Sequence, residues 1–400
     1  MDLTSDYPFW SICNGLLEVY PPLERDISCD ALVIGGGITG ALIGFHLAEA
    51  GIKTVLIDRR DIGTGSTSAS TALLQYEVDV PLRELVKRMP PRDAIRSYQL
   101  CREAIDKIGH LTHKLKIDCQ FAKRPSLFLA KTKKEIPEFF TEFQLRRQNG
   151  FQLEYLEEKA IKKLFPFSRP AALFSQDGGE VDPHQLTHGL ISAAQRRGMK
   201  VFDRTQGKKF EVNRSGVRVT TDRGCRISAR RVVFATGFES MNYVRGEAGH
   251  LKCTFALISE PLAKFPDWHR RALIWESGSP YLYLRTTTEN RIIVGGEDEE
   301  FVNPEKRDSL IQQKAGTIAR KFSKLFPDVK LDVAYSWAGT FGETKDGLAY
   351  IGKNRGMPHA YFALGYGGNG ITYSIIAAEI IRDAILDRRN PDARLFRFDR

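Results

Sequence analysis

The sequence has no run approaching the roughly 18 uninterrupted apolar residues of a membrane helix, so no membrane span is expected. Its start, Met1-Asp2-Leu3-Thr4-Ser5-Asp6, lacks the basic and apolar regions of a secretory leader, and a cytoplasmic location is expected. Six cysteines in 400 residues, none in C-x-x-C spacing, disfavour a disulfide framework or a zinc site, and no metal is expected. Internal repeats and low-complexity tracts are absent. The net charge of +10 comes from basic pairs such as Lys133-Lys134, Arg146-Arg147 and Arg230-Arg231, spread along the chain with acids nearby. The aromatic-interleaved basic surface of a single-strand binder is not apparent, so these pairs read as solvated faces and no nucleic-acid partner is expected.

What the sequence does have is a glycine-rich turn, Gly35-Gly36-Gly37-Ile38-Thr39-Gly40, after the apolar run Ala31-Leu32-Val33-Ile34 and before a helix-patterned stretch to Ala50. In a dinucleotide-binding unit Gly35 permits the tight turn, Gly37 lets the backbone approach a pyrophosphate, and Gly40 lets helix and strand pack closely. Lys53–Ile57 reads as the second strand, and Asp58 follows it, eighteen residues after Gly40, in position to bind ribose hydroxyls. Strand, helix, strand and terminal acid in register point to a bound dinucleotide.

Residues 1–28 form an aromatic and proline-rich arm without helix or strand period. The small, hydroxyl-rich stretch Gly63–Thr71 is a loop or helix start that permits close approach of a ligand. Helical spacing over 91–116, a strand at Ser126–Ala130 and a helix at 135–149 belong to something other than the cofactor unit. Asp182 reads as the N-cap of a helix opened by Pro183. Strands at Gly207–Val212, Val217–Thr221 and Arg230–Phe234 lead to Ala235-Thr236-Gly237, followed by strands near 255–259, 281–285 and 291–295 and a helix near 304–325. A second glycine-rich turn, Gly365-Tyr366-Gly367-Gly368-Asn369-Gly370, caps a helix from Ile371 to Arg388.

The order and spacing of these segments, with Gly179-Glu180-Val181-Asp182-Pro183, Trp337-Ala338-Gly339 and Thr344-Lys345-Asp346-Gly347, resemble the D-amino-acid-oxidase-like superfamily of FAD oxidoreductases. The spacing of Thr344-Lys345-Asp346-Gly347 and the Gly365–Gly370 turn resembles that of glycine oxidase, and sarcosine oxidase is a related comparison. The resemblance implies an α/β fold: a discontinuous Rossmann-like FAD-binding domain (29–85, 171–245 and 335–390) and a second, mixed-sheet α+β substrate domain (86–170 and 246–334). Residues 391–400 remain as a tail. It implies FAD rather than NAD. Backbone N–H groups at Gly367, Gly368, Asn369, Gly370, Ile371 and Thr372 can meet the flavin edge at a helix N-terminus. Ser66 and Thr67 match pyrophosphate-contacting positions. Thr71, Ala72 and Leu73 match the segment passing the flavin, and Gly237 matches the turn that returns a strand to the cofactor. Arg59 lies either over the adenine ribose or at an exposed strand end. Ala69 stands near the position of a flavin-linking histidine in some relatives, and no cysteine follows Cys253, so the FAD is expected to be non-covalent.

In such enzymes the protein mainly positions a substrate carbon for hydride transfer to the flavin. Arg285 matches a family arginine that binds the substrate carboxylate, with an exposed ion pair to Glu297 or Asp298 as the alternative. Gln75, Tyr76 and Glu77 place polar groups where an amine could bind, although Glu77 could equally be a surface carboxylate. Lys252 and Lys345 could aid reaction with oxygen or lie on the surface. His184, His188 and His250 receive no catalytic role. Phe341 and Thr372 stand where glycine oxidase and sarcosine oxidase carry cationic residues, which argues against glycine or sarcosine itself as substrate. The expected function is an FAD-dependent amine or amino-acid oxidoreductase with O2 or an electron carrier as acceptor. Alternatives are a 2-hydroxy acid or glycerol-phosphate dehydrogenase, an FAD-dependent tRNA-modification enzyme and a non-catalytic flavin subunit.

Overall fold

The structure, a computed structural model, describes residues 1–400 except 1, 3, 6, 245–248 and 264–267. The first sheet is ordered Tyr350–Lys353, Ala360–Leu364, Arg226–Phe234, Ile27–Ile34, Thr54–Ile57, Lys200–Phe202. The five strands from Ala360–Leu364 to Lys200–Phe202 run parallel, and Tyr350–Lys353 closes one edge antiparallel. A parallel strand is covered on both faces, which is why Ala31-Leu32-Val33-Ile34 is an unbroken apolar run. Its side chains alternate between two cores. Ala31 and Val33 join the helices Ile38–Glu49, Pro183–Gln195 and Gly370–Ile385, while Leu32 and Ile34 face the side that holds Val217 and Val219. The strands expected at 207–212 and 217–221 form the hairpin Gly207–Asn213 and Gly216–Thr221, which extends from Arg226–Phe234.

The second sheet is ordered Val333–Glu343, His250–Ser259, Ile292–Glu299, Leu282–Thr286, Leu273–Glu276, Ala122–Leu129, Ala171–Glu180, Leu73–Leu74, with Leu153–Glu157 also paired to Ala171–Glu180. All its joins are antiparallel except that between Leu273–Glu276 and Ala122–Leu129. Helix Ile311–Leu325 covers it with the stripe Ala315, Ile318, Phe322 and Leu325. The α/β class with a parallel cofactor sheet and a mixed second sheet is therefore as the sequence implied. Ala171–Glu180 and Val333–Glu343, grouped above with the cofactor segments, pair within the second sheet, so the chain crosses between sheets at those strands.

Three elements differ from expectation. The arm contains a helix, Phe9–Asn14, because Phe9 and Trp10 bury against Ala256, Ile258, Ile293 and Trp337. Six residues lack the propensity to hold a helix alone, and tertiary burial supplies it. The helix expected near 304–325 is two, Pro304–Ser309 and Ile311–Leu325, parted at Leu310. The C-terminal residues pack rather than trail: Arg400 reaches Asp346 with Nε at 2.7 Å and Nη2 at 2.9 Å.

Candidate active site

A single cavity of about 790 Å³ runs from the first glycine turn to the second, between the two sheets. At one end Gly35 has φ +111°, and a Cβ there would overlap the Ala235 carbonyl; a Cβ on Gly40 would overlap the Gly35 carbonyl. A Cβ on Gly37 would come within 2.9 Å of Thr67 Oγ1, which itself accepts the Ile38 N–H at 3.0 Å. These contacts draw the Gly65–Thr67 segment over the N-terminus of helix Ile38–Glu49. Ser66 lines the cavity there, and its buried Oγ has no hydrogen-bond partner. Asp58 Oδ2 accepts the Gly36 N–H at 2.6 Å and Oδ1 the Arg60 N–H at 2.8 Å. Burial holds its carboxyl above the usual range against those two N–H donors. Arg59 lies beside it, paired to Glu239 at 2.5 Å.

Leu364, Gly365 and Gly367–Thr372 line the far end. The first-turn N–H groups of helix Gly370–Ile385 have no acceptor within the helix and open on the cavity. Asn369 Nδ2 donates to the carbonyls of Gln75 and Glu77, each at 2.9 Å, and so ties this turn to the segment after Thr71–Leu73. Gly367 needs its φ of +55° and its missing Cβ because the Asp79 carboxylate packs against it, accepting the Gly368 N–H at 3.1 Å. The residues fit FAD: a long cavity, glycine cradles at both ends, an orphaned hydroxyl at the phosphate end and helix N-termini at each. Gly35, Gly37, Ile38, Thr39, Asp58, Arg59, Ser66, Thr67, Thr71, Ala72, Leu73, Gly237 and Gly367–Thr372 all line it; Gly40 supports Gly35 from beneath.

The expected substrate residues divide. Arg285 is 2% exposed and does not line the cavity. Its donors go to the carbonyls of Thr71 at 2.6 Å and Val181 at 3.1 Å, with Glu180 at 3.6 Å and Trp10 stacked on the guanidinium. Neither a free carboxylate anchor nor an exposed ion pair describes it. Burial lowers its pKa, against Glu180 and Asp182. Tyr76 is also a core residue, stacked on Phe151 at 5.2 Å with its hydroxyl 3.4 Å from Arg146. Glu77 lines the cavity and is 5% exposed, so it is not a surface carboxylate. Its Oε1 holds Arg146 at 3.1 Å, its Oε2 has no partner, and burial raises its pKa against the Arg146 charge. Lys252 lines the cavity but is bound to Glu343 at 2.9 Å and Glu300 at 3.0 Å. Burial alone would lower its ammonium pKa; the two carboxylates outweigh that and raise it.

Sequence reasoning missed Asp79, Asp298, Tyr281, Tyr283 and Trp275, which also line the cavity. Asp79 follows Glu77 by two residues, and Tyr281 and Tyr283 precede Arg285 with the period of one strand face; that period was the available signal. Tyr283 lies across Gly295, where no Cβ could fit, and its hydroxyl reaches Thr254 at 3.2 Å. Asp79 opens onto the cavity, yet enclosure by the walls first, then Glu343 and Asp298, push its carboxyl up to about 7 against the Gly368 N–H and Lys252. His184 and His188 pack against each other under Gly63, with ring centroids 4.7 Å apart and planes tilted by 58°. No three His, Cys, Asp or Glu side chains converge as a metal site among the described residues.

Solved structures share this fold. Glycine oxidase from Geobacillus kaustophilus superposes with a TM-score of 0.76 at 19% identity, covering 91% of this chain and 96% of the other. L-proline dehydrogenase from P. horikoshii gives 0.77 at 20%, covering 94% and 97%. In sequence, gamma-glutamylputrescine oxidoreductase of Escherichia coli (strain K12) is 27% identical, over 92% of this chain and 85% of its own. Glycine oxidase of Bacillus licheniformis is likewise 27% identical, over 89% and 93%. Residues 30–384 match the DAO family profile, and the chain thus belongs to the DAO family of FAD dependent oxidoreductases.

Proposed function

We propose that this FAD-dependent oxidoreductase oxidises an amine or amino acid at the carbon bearing nitrogen. The observation that carries the reading is the single cavity joining the dinucleotide cradle at Gly35–Thr67 to the glycine turn at Gly367–Gly370, with polar residues of the second sheet above that turn. Bound FAD supplies a two-electron acceptor. With it in place, the C–N bond of the substrate would be oxidised to an imine, which water would hydrolyse to a carbonyl compound and an amine or ammonia. The chain's own groups position the substrate carbon and exclude competing water. Similarity to a gamma-glutamylputrescine oxidoreductase and to glycine oxidases supports nitrogen-bearing substrates. O2 or an electron carrier takes the electrons onward.

The FAD is held without a covalent bond: Ala69 carries only a methyl group, with no nucleophilic atom to link, and Cys253 Sγ is turned to the Phe301 carbonyl at 2.9 Å, outside the cavity lining. We place the enzyme in the cytoplasm, where its six unpaired thiols would persist; no helix among the described residues is long and apolar enough to cross a membrane. Anaerobic bleaching of the flavin by amines tests the reading, and bleaching by 2-hydroxy acids alone would overturn it.

A further inference from the structure

Resting on that reading, the lining of the substrate end narrows the substrate further. Two kinds of group face it. Carboxylates come from Glu77, Asp79 and Asp298, and aromatic walls from Trp275, Tyr281 and Tyr283. Glu77 Oε2 and Asp298 Oδ1 are buried acceptors with no hydrogen-bond partner. The cations on this wall are already engaged. Lys252 is held by Glu343 and Glu300; Arg146 is held by Glu142 at 2.7 Å and Glu77 at 3.1 Å, so its charge is balanced by two carboxylates although its Nη2 has no partner. Arg285, the residue whose type would suit a carboxylate, is spent on backbone carbonyls behind the wall.

A substrate carboxylate entering here would meet the unpartnered oxygens of Glu77 and Asp298 and only cations whose charge is already balanced, and the hydration it loses would not be recovered. An ammonium meets acceptors that lack donors, beside ring faces that attract organic cations. We propose that the substrate is a dicationic amine: one nitrogen borne on the carbon presented to the flavin, and a second ammonium, with no free α-carboxylate, held between Asp79, Asp298 and the Tyr281 and Tyr283 rings. Asp79 and Asp298 suit the second ammonium because both line this cavity together with Tyr281 and Tyr283.

The test uses the FAD-loaded chain and three compounds of equal length: an α,ω-diamine, the corresponding monoamine and the corresponding α-amino acid. Rate and Kd of anaerobic flavin bleaching are measured for each. A non-oxidisable bis-quaternary ammonium of the same length is titrated separately through the shift it causes in the flavin spectrum. The diamine should bind about tenfold or more tightly than the amino acid, a ratio that falls as salt rises. Asp298→Asn and Asp79→Asn should each weaken the bis-quaternary probe by about tenfold, with bound FAD reporting that the variants are folded. An amino acid that binds as well as the diamine, or a probe indifferent to salt and to both substitutions, overturns the proposal. Bleaching by amino acids without preference for the diamine would overturn it and leave amine oxidation standing. Binding of the probe with the expected Asp dependence, but no bleaching by any amine, would instead overturn the reaction assigned above.

Discussion

Arg285 Nε donates to the carbonyl oxygen of Thr71 at 2.6 Å, across 214 residues of chain. The preceding carbonyls are held in the same way: Ser70 by Trp10 Nε1 at 2.7 Å and Ala69 by Trp337 Nε1 at 2.8 Å. Three side chains from three parts of the sequence thus fix successive carbonyls of the loop that borders the cofactor cavity. Arg285→Ala should destabilise the protein by roughly 3 kcal/mol, since Thr71 and Val181 lose their donor while Glu180 keeps only Arg124. FAD should loosen with it. Urea unfolding and FAD titration read both effects; a loss of affinity confined to carboxylated substrates would show instead that Arg285 binds substrate.

Ser66→Ala separates cofactor binding from folding. The FAD-free protein should keep its stability or gain up to about 1 kcal/mol, because an unsatisfied buried hydroxyl is removed. FAD affinity should fall by about five- to tenfold if that hydroxyl serves the pyrophosphate. Equal affinity in fluorescence titration would remove Ser66 from the site.

Arg146 is fully buried between Glu142 and Glu77, with the rings of Tyr76 and Tyr98 at 5.5 and 5.4 Å. Arg146→Met strands two buried carboxylates and should cost about 3–5 kcal/mol near pH 7.5. The cost should shrink toward pH 5, as Glu77, already raised by burial, takes up a proton. Unfolding curves at the two pH values check this; a pH-independent loss would indicate packing alone.

His46 and His188 are 8% and 7% exposed, and burial pushes each imidazole down to about 4. Their folded values lie below the unfolded 6.5, so the unfolded chain binds more protons in between. The stability they contribute is complete above about 6.5 and is lost as pH falls through about 4, on the order of 3 kcal/mol each. His188→Asn should flatten that part of the profile, measured by denaturant midpoint against pH.

Acid precipitation should leave the protein colourless and FAD in the supernatant. Yellow colour in the pellet would show a covalent link.

The sequence by itself determined the cofactor fold. Gly35, Gly37 and Gly40 between an apolar strand and a helix, and Gly367–Gly370 before another, are local patterns whose backbone requirements admit few readings. The same locality explains Asp182, which caps helix Pro183–Gln195 through the His184 and Gln185 N–H groups. Only the tertiary structure decided the substrate end. Tyr281, Tyr283 and Arg285 share a strand period, yet the tyrosines face the cavity while the arginine, farther along, meets Thr71 behind the wall. Likewise Glu77 and Asp79 share a face of the chain, but one is bound to Arg146 and the other to Gly368, partners 69 and 289 residues away. A charged side chain's role depends on which opposite charge lies within hydrogen-bond reach, and no short-range pattern encodes that.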